Sequence, residues 1–178
     1  MKSYDEIWGF AEDHHGIITS NQAVKLGVGR KNLVAMAQRG TLDRIGHGVY
    51  MLSHHVPAQN DVFAMSVAVC GENAYLRGAS VVALLNLAAT NPGLMYVGAP
   101  GRVRRNLPSG YILQDRSPSR TVEYDGIPSQ PIGDAILSAL ADGSIESDRL
   151  EEAAEEAVRQ GLLSDDEYGE LMGKLRHG

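Results

Sequence analysis

The sequence predicts an α+β fold in two parts: an N-terminal winged helix-turn-helix, then a mixed α+β domain ending in acidic helices. Three observations carry that prediction. Residues 19–52 (TSNQAVKLGVGRKNLVAMAQRGTLDRIGHGVYML) order a capped helix, a Gly-punctuated turn, a second helix opening on Arg30 and Lys31, and a short hairpin. Beyond them, apolar helical runs alternate with short β-prone runs and turn signals. Charge is also uneven. Residues 19–52 hold five bases (Lys25, Arg30, Lys31, Arg39, Arg44) against Asp43 alone, while the 178-residue chain is at −6 and residues 142–178 hold eleven acids against four bases.

Along residues 4–14, Ile7, Trp8, Phe10 and Ala11 share one helical face, and Gly16 ends the helix. Ile17 and Ile18 form an apolar link suited to packing beside a hairpin. Thr19 stands three residues before Gln22, a capping-box spacing that starts the second helix, which runs to about residue 26. Gly27-Val28-Gly29 supplies the turn, and the third helix turns Leu33, Met36 and Ala37 inward before Gly40 stops it. Two β-prone runs around Gly46-His47-Gly48 form the wing, with Leu42, Ile45, Val49 and Met51 expected on its buried face. Residues 53–57 read as a linker, which places the domains at 1–55 and 56–178. In the second, buried helices are expected over 61–70 and 79–87, and strands over 94–97, 111–114 and 121–124. A Pro-initiated helix is expected over 131–140 and two acidic helices over 147–160 and 165–176, the last preceded by the capping box Ser164-x-x-Glu167.

A positive helix-turn-helix in a net-acidic chain points to duplex DNA, because the duplex senses charge only within about 8 Å at physiological salt. Arg30, Lys31 and Asn32 occupy the end of the third helix that meets base edges, where Arg or Lys suits guanine and Asn suits adenine. Lys31, Ala35 and Gln38 share a stripe, which Arg30 and Arg39 flank beside phosphate; Arg39 alternatively compensates the helix dipole. Thr19, Ser20 and Asn21 open the second helix, whose first amides suit a phosphate oxygen, and Arg44 and His47 in the wing reach the adjacent backbone. The same pattern also allows a winged-helix module that docks another protein. Arg102, Arg104 and Arg105, with Arg116 and Arg120, read either as a second positive surface or as a solvated hairpin.

Other chemistries lack their residues. Cys70 is the only cysteine and lies in an apolar run, so no intrachain disulfide or cysteine metal site forms. No lysine stands two positions after a carboxylate, as a PD-(D/E)xK nuclease centre requires, and Gly78-Ala79-Ser80 has no Asp-x-Asp nearby to hold Mg²⁺ for nucleotidyl transfer. His14-His15 and His54-His55 read as loop histidines, and Glu123 and Asp125 as a solvated strand end. The expectation is a non-enzyme without cofactor or metal. The acidic start of MKSYDEIWGF and the absence of a long apolar run predict a cytoplasmic protein with no membrane partner.

The segment GIITSNQAVKLGVGRKNLVAMAQRGTLDRIGHGVYML resembles the AbiEi antitoxins of bacterial type IV toxin–antitoxin systems. YLRGASVVALLNL, MYVGAP, the Gly126-Ile127-Pro128 step and a following helix carrying Asp134 extend the resemblance more loosely. It implies a transcriptional autorepressor on double-stranded operator DNA, with antitoxicity in the C-terminal domain. The implied toxin partner is nucleotidyltransferase-like and is opposed without a stable complex. The chain lacks a long extension after its acidic helices, where some relatives carry one.

Overall fold

A computed structural model describes residues 2–91, 93–101, 103, 106–115 and 120–177. It is a mixed α+β structure with eight helices and two sheets among the described residues. The chain divides into two compact units, 1–72 and 73–178, whereas the linker signal in the sequence placed the division at 55/56.

In the first unit, α1 (Lys2–Glu12) is followed by β1 (Ile17–Thr19), α2 (Ser20–Lys25), α3 (Arg30–Gln38), and the hairpin β2 (Leu42–Gly46) and β3 (Val49–Leu52); α4 (Asp61–Cys70) completes it. The sheet has the order β1-β3-β2, all antiparallel, so the Ile17-Ile18 link is a full strand against β3. Ile18, Leu42, Tyr50 and Leu52 share one face and pack with Ile7, Ala11, Ala23, Val28, Leu33 and Met36 from α1 to α3.

The other face is also covered, and that corrects the expected wing core. Helix α4 packs on β1 and β2, and Val69 Cγ1 stands 2.9 Å from where a Cβ on Gly46 would lie. Val49 is therefore buried at 1% exposure although it points away from the helical trio, while Ile45 and Met51 are only half-buried. The alternation rule for a half-solvated antiparallel sheet fails because α4 makes it a middle layer. The register also shifts between Arg44 and Gly46, which takes Ile45 out of the alternation. The same packing of α4 explains the division at 72/73.

The second unit holds β4 (Tyr75–Leu76), α5 (Ala79–Leu84), β5 (Met95–Ala99), β6 (Tyr111–Asp115), β7 (Val122–Tyr124) and β8 (Ile127–Ser129), then α6 (Ile132–Asp142), α7 (Ser147–Arg159) and α8 (Asp165–His177). The sheet runs β6-β5-β4-β8-β7. Pairs β5/β6 and β4/β8 are parallel; β4/β5 and β7/β8 are antiparallel. Helix α5 stops three residues before the expected end, since Asn86 turns left-handed at φ 52°. Buried Arg77 donates to Asp142 at 2.7 Å, pinning the start of α5 to the end of α6. Leu150, Ala153, Ala154 and Ala157 form the buried stripe of α7, and small side chains let α6 and α8 pack close to it.

Candidate nucleic-acid interface

All ten sequence-expected interface residues belong to the first unit. Arg30, Lys31 and Asn32 are exposed in the first turn of α3, and Gln38 and Arg39 are exposed at its end. The N-cap is Gly29, which contributes no side-chain hydrogen bond, and the first turn contains no acid. Two cations therefore sit where a helix dipole favours anions. Helix α8 follows the opposite and ordinary pattern, with Asp165, Asp166 and Glu167 in its first turn and Lys174, Arg176 and His177 in its last.

Two stripes of α3 carry its exposed polar side chains, one facing outward and one bordering the core. Lys31, Val34 and Gln38 follow one line, with Val34 46% exposed at its centre. Asn32, Met36 and Arg39 follow another and line a shallow cleft with Ser3, Tyr4 and Asp5 of α1. Asn32 thus faces a different direction from Lys31. Arg39 turns back on its own helix, donating from Nε to the Ala35 carbonyl at 3.1 Å. Val34 is the side chain that a charge-led reading of the sequence passed over; the 3.6-residue phase places it between Lys31 and Gln38.

The capping box at α2 forms as its spacing predicts. Gln22 N–H donates to Thr19 Oγ1 at 3.2 Å, and Thr19 N–H donates to Gln22 Oε1 at 2.8 Å. Ser20 N–H donates to the Gly48 carbonyl at 2.8 Å, which ties the start of α2 to the wing turn that carries exposed His47. The hydroxyl of Thr19 and the amide of Ser20 are thus engaged within the fold. Exposed Arg44, on β2, donates from Nε to the Gly46 carbonyl at 3.3 Å.

Asn21 and Arg30 meet directly, Arg30 Nη2 donating to Asn21 Oδ1 at 3.0 Å. The other end of the Asn21 amide donates to Glu72 Oε2 at 3.0 Å, and Lys25 Nζ lies 3.2 Å from Glu72 Oε1. Lys25 and Asn21 hold the Glu72 carboxyl below its usual pKa by these hydrogen bonds. Neither Lys25 nor Glu72 stood out in the sequence as a site residue.

A second polar cluster fixes α4 to this unit. Asp61 receives His15 Nδ1 at 3.0 Å, His55 Nε2 at 2.8 Å and the Ala58 N–H at 2.7 Å. Burial pushes its carboxyl up, and the Ala58 amide with the two imidazoles outweighs burial, so its pKa lies below the ordinary value. Among the described residues no group of three His, Cys, Asp or Glu is placed to hold a metal ion, and no helix is long and apolar enough to cross a membrane. Arg102, Arg104, Arg105 and Arg116 lie outside the described residues.

Three helices on a three-stranded antiparallel sheet, with a cationic third helix beside a β2–β3 hairpin, are consistent with a winged helix-turn-helix. Residues 10–53, from the end of α1 through the hairpin, match the family described as "Transcriptional regulator, AbiEi antitoxin". That match supports a role as a transcriptional regulator or antitoxin. No curated protein matches the chain.

Proposed function

We propose that the protein is a DNA-binding autorepressor that reads its own operator through α3 and serves as the antitoxin of a type IV toxin–antitoxin pair. One observation carries the reading: Arg30 and Lys31 stand exposed in the uncapped, acid-free first turn of α3, a placement that costs stability in the free protein and that a polyanion relieves. Lys31 and Gln38 face base edges, Val34 meets a thymine methyl between them, and Arg30, Asn21, Arg44 and His47 hold backbone phosphates. Asn32 and Arg39, on the stripe beside α1, reach the flanking backbone; Thr19 and Ser20 support the contact by fixing α2 and the wing turn. The division of labour places regulation in residues 1–72 and antitoxicity in 73–178. The partner is a nucleotidyltransferase-like toxin, opposed without a stable complex.

The test is fluorescence anisotropy on duplex from upstream of the protein's own gene. Roughly five phosphate contacts give a slope of log K against log salt of about −4 to −5. Arg30→Ala with Lys31→Ala is expected to weaken binding at least about tenfold, in line with two lost phosphate or base contacts. No binding by the wild-type protein at low salt, or binding untouched by the double substitution, rejects operator readout.

A further inference from the structure

We infer that Asn21, Lys25 and Arg30 form a seat for one backbone phosphodiester of duplex DNA, and that Glu72 fills that seat in the free protein as an internal competitor. The inference rests on the DNA-binding reading above and adds to it a residue that opposes binding. Arg30 has only donors, so the Asn21 oxygen must face it and the Asn21 NH₂ must face Glu72. Two donors of α2 thereby converge on one carboxylate, Asn21 Nδ2 on Oε2 and Lys25 Nζ on Oε1, while Arg30 of α3 holds Asn21 in place. A carboxylate and a phosphodiester each offer two oxygens and one negative charge, so a cradle that suits one suits the other.

The placement of this cluster separates it from an ordinary surface ion pair, and its exposure makes it displaceable. Asn21 and Lys25 lie one helical turn apart on α2, and Arg30 opens α3, so the seat lies on the elements that the proposed DNA contact uses. Glu72 comes instead from beyond α4, as the last residue of the first unit. The pair is also open to solvent, with the Lys25 side chain 74% and the Glu72 side chain 53% exposed, so it is weakly held and readily displaced by a polyanion.

The experiment measures affinity and salt dependence of the full chain on the upstream duplex and on an unrelated duplex, for wild type, Glu72→Gln, Lys25→Ala, the pair together, and Glu155→Gln. The last removes the same charge from an exposed position of α7 and controls for net charge. Glu72→Gln is expected to tighten binding about three- to fivefold on both duplexes, since phosphate contacts carry no sequence information. The salt slope is expected to steepen by about one, because Lys25 then releases a counterion rather than a carboxylate on binding. Lys25→Ala is expected to abolish that gain. Thermal unfolding is expected to stay unchanged across the set, which checks the fold.

If wild type binds and Glu72→Gln binds no more tightly, the internal competitor is rejected while the DNA reading stands. An equal gain from Glu155→Gln, or a gain that survives Lys25→Ala, rejects it too. Failure of every variant to bind either duplex at low salt removes the DNA reading, and this inference with it.

Discussion

Asp61 keeps its charge at a side-chain exposure of 10% because three donors meet it. An ionised carboxylate only accepts, so both imidazoles present an N–H to it, His15 from Nδ1 and His55 from Nε2. Its folded-state pKa lies below the unfolded value of about 3.9, so the stabilisation is present above that value and is lost as pH falls through the lower, folded-state pKa. Asp61→Asn is expected to cost about 1–3 kcal/mol at pH 7, the scale of stranding buried donors, and urea unfolding measures it. The gap from wild type should shrink as the pH falls below 4; a gap that stays constant from pH 7 to 3 removes the charge from the explanation. The sequence showed His14-His15 and His54-His55 only as loop pairs. One member of each pair meets Asp61, 46 and 6 positions away, and no local rule pairs residues across such a distance. The capping box at Thr19 was legible for the opposite reason, since its partner stands three residues on. The bond from Asn21 to Glu72 spans 51 positions and left no trace in spacing.

Elements were legible where their period repeats. Helices α1 and α3 show their apolar stripe in the sequence, α7 and α8 their acidic composition and, for α8, a capping box, and the wing announces itself by two glycines between β-prone runs. Strands β4 and β8 did not, because two or three residues cannot display an alternation. Yet β4 is the middle strand of the second sheet, with Tyr75 and Leu76 at 1% and 0% exposure. Its register explains an otherwise unremarked glycine: Gly98 pairs with Tyr75, and a Cβ there would fall on the tyrosine ring. The ring covers the bare backbone of β5, as aromatic side chains do over strand glycines. Gly98→Ala is therefore expected to destabilise the protein by about 1–3 kcal/mol, as overpacking does, with a lowered thermal midpoint. An unchanged midpoint means that Tyr75 moves aside freely and that the close approach carries no stability.

At the scale of the whole chain, the linker signal and the packing disagree about where the first unit ends. Composition marks residues 53–57 as a break because Pro57 and polar residues interrupt the pattern, and that signal is local. Packing responds instead to which surface remains uncovered. After β3 the sheet still has a face bearing Ile17 and Val49, at 5% and 1% exposure, and α4 supplies the cover. A chain of 55 residues would leave that face in water, would lose Asp61 from between His15 and His55, and would be of a size at which single cores are marginal. Fragment 1–72 is thus expected to unfold in one cooperative thermal transition by circular dichroism. Fragment 1–55 should show a broad, low-temperature loss of signal, with the apolar face binding a hydrophobic dye. If 1–55 melts as sharply and as high as 1–72, α4 is an appendage and the division belongs at the linker. If both melt alike and Asp61→Asn still lowers the midpoint of 1–72, Asp61 adds a local contact without closing the core. The expected result makes the linker a loop inside the regulatory unit, and it makes Glu72, on the far side of α4, a residue that any fragment spanning that unit must keep.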